Sequence, residues 1–131
     1  MSNKEYPIMK DRTFDLQDRL VDFSVRIIRL SEAIPESRAG KHLCLQLLRS
    51  GTSPAPNYGE AQSAESKADF IHKLKIALKE LRETEIWLKV IVRAELIRPP
   101  EHLAPLIKET DELIAILFKS VETAKTSKER T

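Results

Sequence analysis

The feature that most constrains the fold is the regular spacing of one set of residues between positions 66 and 98. The set recurs every three or four positions and comprises Phe70, Leu74, Ala77, Leu81, Thr84, Leu88 and Ile91. This spacing places the residues along one face of an α-helix and is typical of a seam in a helical bundle. Ser66 with Asp69 three residues later resembles a capping box that starts the helix. We expect the helix to run to about Ile97, because Arg98-Pro99-Pro100 stops it.

The first predicted helix carries apolar residues on two separate stripes. It starts near Thr13, a candidate N-cap, and ends near Ile34, because Pro35 follows. The inner stripe comprises Leu16, Leu20, Phe23, Ile27, Leu30 and Ile34. The second stripe lies roughly 150° away at ~100° per residue and comprises Phe14, Val21, Val25 and Ile28. Burial within one bundle needs an arc of only ~100° or a little more. We therefore expect a second subunit to cover the second stripe; a monomer with a wide core-facing arc is the alternative.

The second helix is predicted to begin after Ser37 and to be interrupted at TSPAPNYGEA, residues 52–61. Pro54 and Pro56 lack amide protons, and their rings clash with carbonyls of the preceding turn in a straight helix. A helix that restarts with Ser53 as N-cap accepts both prolines, because first-turn amides have no intrahelical partner. We therefore predict a kink or short break, with helix on both sides.

The remaining chain completes an all-helical pattern. The last helix is predicted to start between Pro100 and Pro105, and the chain is polar from about Thr123. No strand-like alternation of useful length occurs. The predicted fold is all-α, an antiparallel up-down four-helix bundle with its second helix kinked at the two prolines. The predicted organisation comprises an N-terminal extension at 1–12, the bundle at 13–123 and a flexible C-terminal tail at 124–131.

Composition restricts the classes of function. The 131 residues carry a formal net charge of +2, and Cys44 is the only cysteine, which excludes an internal disulfide and a zinc cage of thiolates. No run approaches the ~18 apolar residues of a membrane span. The N-terminus lacks the apolar core of a signal peptide. We expect a cytoplasmic protein with no membrane partner.

A basic stripe on the third helix is the best candidate binding surface. Its members lie within roughly 80° of one another, opposite the apolar seam, and comprise Lys75, Lys79, Arg82, Lys89 and Arg93. Cations at helical spacing can pair with successive phosphates, so the stripe predicts salt-sensitive, sequence-independent binding of RNA or DNA. The alternative is a solvated helix face with Lys79–Glu83 and Glu85–Lys89 pairs.

A set of polar residues falls on the second and third helices and comprises Arg49, Asn57, Glu60, Glu83 and Glu85. We interpret the set as a structural polar clamp, because a partly buried Glu85 needs a partner such as Arg49 or Asn57. A catalytic cluster is the alternative, but no nucleophile–base pair is apparent. We therefore expect no enzyme activity and no small-molecule substrate. The histidines lack the Glu-x-x-His motifs of di-metal bundles, so no metal or cofactor is expected.

Polar residues at fixed offsets within positions 46–88 carry a family resemblance. The matching positions comprise Arg49, Ser50, Thr52, Ser53, Asn57, Glu60, Ala61, Asp69, Phe70, Ile71, Glu83, Glu85 and Trp87. In these positions the chain resembles the bacterial four-helix-bundle proteins known from reading frames in intervening sequences of large-subunit ribosomal RNA genes. The similarity extends more weakly over roughly residues 13–123. Pro54-Ala55-Pro56 departs from the aliphatic-glycine-alanine run that is more common in the family.

The resemblance implies a four-helix protomer and often a homopentameric ring. The chain is also similar to the accessory subunit of diversity-generating retroelements, a basic ring that binds reverse transcriptase and nucleic acid. We therefore expect a non-enzymatic homo-oligomer, with a pentamer favoured, that binds RNA, a ribonucleoprotein or DNA through its third helix. A nucleic-acid enzyme such as a reverse transcriptase is a candidate partner. The alternative is a protein–protein adaptor or assembly scaffold, since a shared fold does not define a function.

Overall fold

The computed structural model describes residues 15–127. These residues form α1 (Leu16–Ala33), α2 (Arg38–Thr52), α3 (Pro54–Gln62), α4 (Lys67–Arg93), a short 3-10 helix (Pro100–Leu103) and α5 (Ala104–Thr126). They contain no strand, which confirms the predicted all-helical class. Because Ser53 alone separates α2 from α3, the α-helices between residues 15 and 127 form four helical segments, consistent with a helical bundle. The predicted extension at 1–12, the stripe residue Phe14 and residues 128–131 of the predicted tail lie outside the described residues.

Side-chain oxygens cap the N-termini of three of these helices. Each accepts a first-turn amide that has no partner within its own helix. The caps, their amides and the distances are Asp15 with Asp18 at 3.1 Å, Ser37 with Gly40 at 2.9 Å, and Ser66 with Asp69 at 3.0 Å. The caps at Ser37 and Ser66 confirm the predicted starts. The cap at Asp15 begins α1 at Leu16, slightly after the predicted start near Thr13, which itself lies outside the described residues.

The end of α4 differs from the prediction, because the helix stops at Arg93 rather than near Ile97. Glu95 adopts a left-handed conformation with φ of 57°. The amide of Leu96 then bonds back to the carbonyl of Ile91 at 3.1 Å. This arrangement satisfies carbonyls of the last turn and closes the helix before the chain reaches its prolines.

The last helix begins within the predicted window and continues further than expected. α5 starts at Ala104, directly after the 3-10 helix, and runs to Thr126 rather than ending near Thr123. Ala124 is only 9% exposed and therefore still packs against the core. Burial of this side chain stabilises the final turn in its helical conformation.

Ser53 lies between α2 and α3, at the predicted restart. Its φ of −77° and ψ of −34° are helical values. The amide of Asn57 bonds the Ser53 carbonyl at 3.2 Å. Pro54 opens α3, where a missing amide proton leaves no hydrogen bond unmade. The hydroxyl of Ser53 does not cap α3; it accepts a hydrogen bond from Asn57 Nδ2 at 3.0 Å.

The core follows the predicted seams. Its fully buried large side chains include Leu20, Phe23, Ile27, Leu47, Leu74, Leu81, Leu88, Ile91, Leu113 and Leu117. α1 and α2 come close together at Gly51, where an added Cβ would meet Ile27 at 2.7 Å. α1 also reaches α5, where Arg19 donates to Glu109 at 2.8 and 3.1 Å. These contacts position α4 between α2 and α3 on one side and α5 on the other.

Candidate nucleic-acid interface

All five cations of the basic stripe are exposed on α4. None of them forms a salt bridge or donates a hydrogen bond to another residue between 15 and 127. In particular, the pairs Lys79–Glu83 and Glu85–Lys89 do not close to ion-pair distance. Lys79 and Lys89 act on those carboxyls only through longer-range attraction. The stripe therefore presents positive charge that the described chain leaves unpaired.

Two carboxylates of α4, Glu80 and Glu83, are bound on the side that faces α2. Glu80 accepts a hydrogen bond from Arg49 of α2 at 3.2 Å. Glu83 binds the same guanidinium and also accepts a hydrogen bond from Trp87 Nε1 at 3.0 Å. The bond from Trp87, aided by Arg49, holds the pKa of the Glu83 carboxyl below its usual value. Glu80 and Glu83 therefore form their salt bridges with α2, and Lys79 attracts the Glu83 carboxyl only at longer range.

A shallow groove with a volume of about 330 Å³ lies between α4 and α5, beside the basic stripe. Its walls carry Lys75, Lys79 and Arg82 from α4, and Phe118, Glu122 and Lys125 from α5. The Arg82 guanidinium carbon lies 5.9 Å from the centroid of the Phe118 ring. At this distance a cation is attracted to the face of an aromatic ring.

Phe118 is the residue of this surface that the sequence analysis missed. Its side chain is 48% exposed, although its neighbour Leu117 is fully buried. One signal was available, because Phe118 falls beside rather than on the seam that Leu113, Leu117 and Val121 form along α5. An aromatic residue off the apolar seam marks a surface position, but the sequence does not show which helix it contacts.

The structure brings together two of the five predicted clamp residues, Arg49 and Glu83. Their ion pair lies at the surface, where the side chain of Arg49 is half exposed. A surface pair of this kind contributes between zero and about 1 kcal/mol to stability. The buried link between the same helices lies beneath it, where the hydroxyls of Ser50 and Thr84 are 2.9 Å apart and fully buried.

The other predicted clamp residues contact different partners. Asn57 bonds Ser53 within the second helical segment, and Glu60 pairs with Lys73 of α4 at 2.7 Å. Glu85 faces Asp111 of α5 rather than α2. A hydrogen bond to the Asp111 carboxylate, which only the protonated carboxyl can donate, and partial burial together raise the pKa of Glu85. Glu85 therefore belongs to the α4–α5 contact.

Comparison with known proteins places this architecture in a family. The sequence profile of the 23S rRNA-intervening sequence protein family matches residues 12–119. The chain belongs to this family. The resemblance found in residues 46–88 is thereby confirmed. No match was found among curated proteins.

A solved structure is similar over nearly its whole length. It is a protein of unknown function from the S23 ribosomal protein family of Bacteroides thetaiotaomicron, 38% identical to this chain, with a TM-score of 0.72. The match covers 81% of this chain and 97% of that chain. The function of this relative is unknown. A function for this member of the 23S rRNA-intervening sequence protein family is therefore inferred from its own surface.

In this family member, the three described residues of the second α1 stripe lie on the surface. Val21, Val25 and Ile28 are 45%, 39% and 41% exposed. The inner stripe of the same helix packs into the core, with Leu20 and Ile27 fully buried. The core of the single chain therefore buries the inner stripe and leaves Val21, Val25 and Ile28 exposed, unlike the alternative of one wide core-facing arc.

Other kinds of site have little support in the described part of this family member. Between residues 15 and 127, no three His, Cys, Asp or Glu side chains gather closely enough to hold a metal ion. None of the helices in that range combines the length and the apolar character needed to cross a membrane.

Proposed function

We propose that this chain is a non-enzymatic, homo-oligomeric helical bundle that binds nucleic acid, either RNA or DNA, through the basic stripe of α4. The observation that carries the proposal is the exposure of all five cations on one helix face without an ion pair inside the described chain. Phosphate groups are suitable counter-charges for such a row. Contacts of this kind position a protein on a nucleic acid without reading its sequence.

Homo-oligomerisation is supported by the exposed second stripe of α1. Val21, Val25 and Ile28 form a contiguous apolar line at helical spacing, and such lines commonly mark a protein interface. A closed ring, with a pentamer favoured, would repeat the basic stripe and let individually weak phosphate contacts act together. Light scattering tests this part: the wild type should be oligomeric, and Val25→Asp/Ile28→Asp should be monomeric. A monomeric wild type at micromolar concentration would contradict it.

The up-down antiparallel order and the kink at Pro54 and Pro56 belong to the same proposal. The first two segments support the order, because Gln17 near the start of α1 bonds Ala55 of α3, while Ser31 near its end bonds Cys44 of α2. The third and fourth segments, α4 and α5, support an antiparallel order in the same way. Lys67 at the start of α4 donates to the carbonyl of Lys125 near the end of α5, and Arg82 further along α4 lies over the ring of Phe118, which comes earlier in α5.

The nucleic-acid proposal is tested by filter binding across a range of salt concentrations. The variant Lys75→Glu/Lys79→Glu/Arg82→Glu should bind at least about 30-fold more weakly, and its salt slope should fall by about one for each cation removed. A matched control reverses three exposed cations off the stripe: Arg29→Glu/Lys108→Glu/Lys119→Glu. The control should lose only a few-fold in affinity. Equal losses in both variants, or no binding of the wild type even at low salt, would overturn the proposal.

A protein adaptor is the second candidate, and a specific observation favours it. Ile86 and Val90 are exposed on α4 beside the basic stripe, with Ile86 53% exposed. An acidic protein surface with an apolar anchor, for example on a nucleic-acid enzyme such as a reverse transcriptase, could use both features. Ile86→Ser/Val90→Ser would then abolish binding of that protein while leaving nucleic-acid affinity unchanged.

A further inference from the structure

We propose that the groove between α4 and α5 takes an unpaired base of single-stranded RNA or DNA, stacked against Phe118, while the neighbouring phosphates contact the cations of α4. This inference rests on the proposed function and deepens it by naming a single strand, rather than a duplex, as the ligand. It follows from what the groove contains besides positive charge.

The groove holds an exposed aromatic ring among cations. Phe118 keeps nearly half of its side chain in water beside Lys75, Lys79 and Arg82. Phosphate binding alone has no use for an aromatic surface. Every nucleobase has a π-face, and stacking on an aromatic side chain is a general way to hold single strands without reading their sequence. In a duplex the base faces are already stacked on one another and are not available.

The size and lining of the groove fit a single base. Its volume of about 330 Å³ lies at the small end of ligand pockets, which span roughly 300–1,000 Å³. The buried side chains of Leu78 and Val121 form its apolar floor. A space of this size, with an apolar floor and an aromatic wall, suits one base with its sugar and is too small to admit a double helix.

The two walls of the groove differ in charge. On the α5 wall, the ammonium of Lys125 lies 3.4 Å from the carboxylate of Glu122, so that wall is nearly neutral. On the α4 wall, Lys75, Lys79 and Arg82 follow one another at intervals of about one helical turn, roughly 5 Å. This asymmetry assigns the base to the α5 wall and the sugar-phosphate chain to the α4 wall. The Arg82 guanidinium, 5.9 Å from the ring centroid, lies between the two.

The test is fluorescence anisotropy with labelled dT12 and U12 single strands and a 12-base-pair duplex as probes. Phe118→Leu keeps an apolar side chain without a ring, and Phe118→Tyr keeps the ring. Phe118→Leu should weaken single-strand binding by about 5- to 100-fold with an unchanged salt slope, because only the stacking contact is lost. Phe118→Tyr should bind single strands as the wild type does, and duplex affinity should be the same in all three proteins. Circular dichroism checks that each variant is folded.

An abasic oligonucleotide provides the sharpest control, because it keeps the phosphates and removes the bases. Its affinity should be equal for the wild type and for Phe118→Leu. Unchanged single-strand affinity in Phe118→Leu, or equal losses for the single strand and the duplex, would overturn the stacking inference and leave the proposed function standing. Absence of binding to every probe at low salt would overturn both.

Discussion

The two flanks of α4 differ in whether their charged side chains form salt bridges. On the flank next to α2 and α3, which we term the paired flank, Arg49 meets Glu80 and Glu83, and Lys73 meets Glu60. Toward α5, the cations of the basic stripe form no salt bridge in the described chain, and Arg82 and Lys89 attract the Glu85 carboxyl only at longer range. Within one helix, complementary charges are therefore used for contact between segments on one flank and left available to an external anion on the other. The comparison separates charges that serve the fold from charges that serve binding.

The largest effect is expected from the buried layer of the paired flank. Thr84→Val removes the hydroxyl that lies 2.9 Å from Ser50 and leaves a buried polar group without its partner. We expect a loss of about 1–3 kcal/mol in the free energy of unfolding, measured by urea denaturation. Thr110→Val is the matched control, because the equally buried Thr110 hydroxyl bonds only the Leu106 carbonyl of its own helix. A loss in Thr110→Val as large as that in Thr84→Val would contradict the assignment of the interhelical link.

An intermediate effect concerns the carboxyl of Glu83 and its dependence on pH. Because the pKa of Glu83 is lowered in the folded protein, its stabilisation is present above its unfolded pKa and is lost as the pH falls through the folded value. Glu83→Gln should therefore lower stability at pH 7 by no more than about 1 kcal/mol, given the solvent exposure of the pair. The difference from the wild type should begin to shrink near pH 4.5, the ordinary pKa, and should disappear once the pH is below the lowered pKa of the folded protein. Thermal unfolding at a series of pH values measures it, and a deficit that persists at low pH would refute this reading.

Glu85 should show the opposite sign. Its pKa is raised by the hydrogen bond with Asp111, so its contribution is favourable below the unfolded pKa and is lost as the pH rises through the folded value. Glu85→Gln should therefore raise the melting temperature at pH 7 by roughly one to three degrees, corresponding to well under 1 kcal/mol. At pH 4 the gain should vanish. A lower melting temperature for Glu85→Gln at pH 7 would show that the acidic pair stabilises the fold.

The smallest effect is the most direct test of the comparison between the flanks. Arg49→Met and Lys79→Met each keep an aliphatic stem and remove one positive charge. The first should lower the unfolding free energy by a few tenths of a kcal/mol, about the value of a surface ion pair. The second should leave stability unchanged or slightly raised, because it relieves repulsion between like charges. Urea midpoints at low and high salt measure both, and equal losses would remove the distinction.

Much of the fold could be predicted from local patterns, and the exceptions are informative. The seam of α4 and the caps at Ser37 and Ser66 depend on residues three or four positions apart, which the chain alone displays. The end of α4 was missed because a left-handed Glu95 closes the helix, and sequence analysis expects glycine at such a position. The prediction instead placed the end of the helix at Pro99 and Pro100, which follow the actual end at Arg93.

The candidate site divides in a similar way. The exposure of the basic stripe followed from helical periodicity, because residues opposite a buried seam face solvent. The contact of Glu85 with Asp111 did not follow, since its position at the edge of the seam is compatible with either neighbouring helix. Phe118 joined the site only because α5 packs beside α4 and brings its ring close to Arg82.

The sequence by itself determined the helices, the core-facing residues and the row of cations, because these depend on spacing within one helix. Tertiary structure alone decided which charges are neutralised and which remain free, and it created the groove that holds Phe118. The physical reason is that a contact between helices depends on their relative rotation and separation. Those quantities arise from the packing of the whole core, and no short stretch of the chain encodes them.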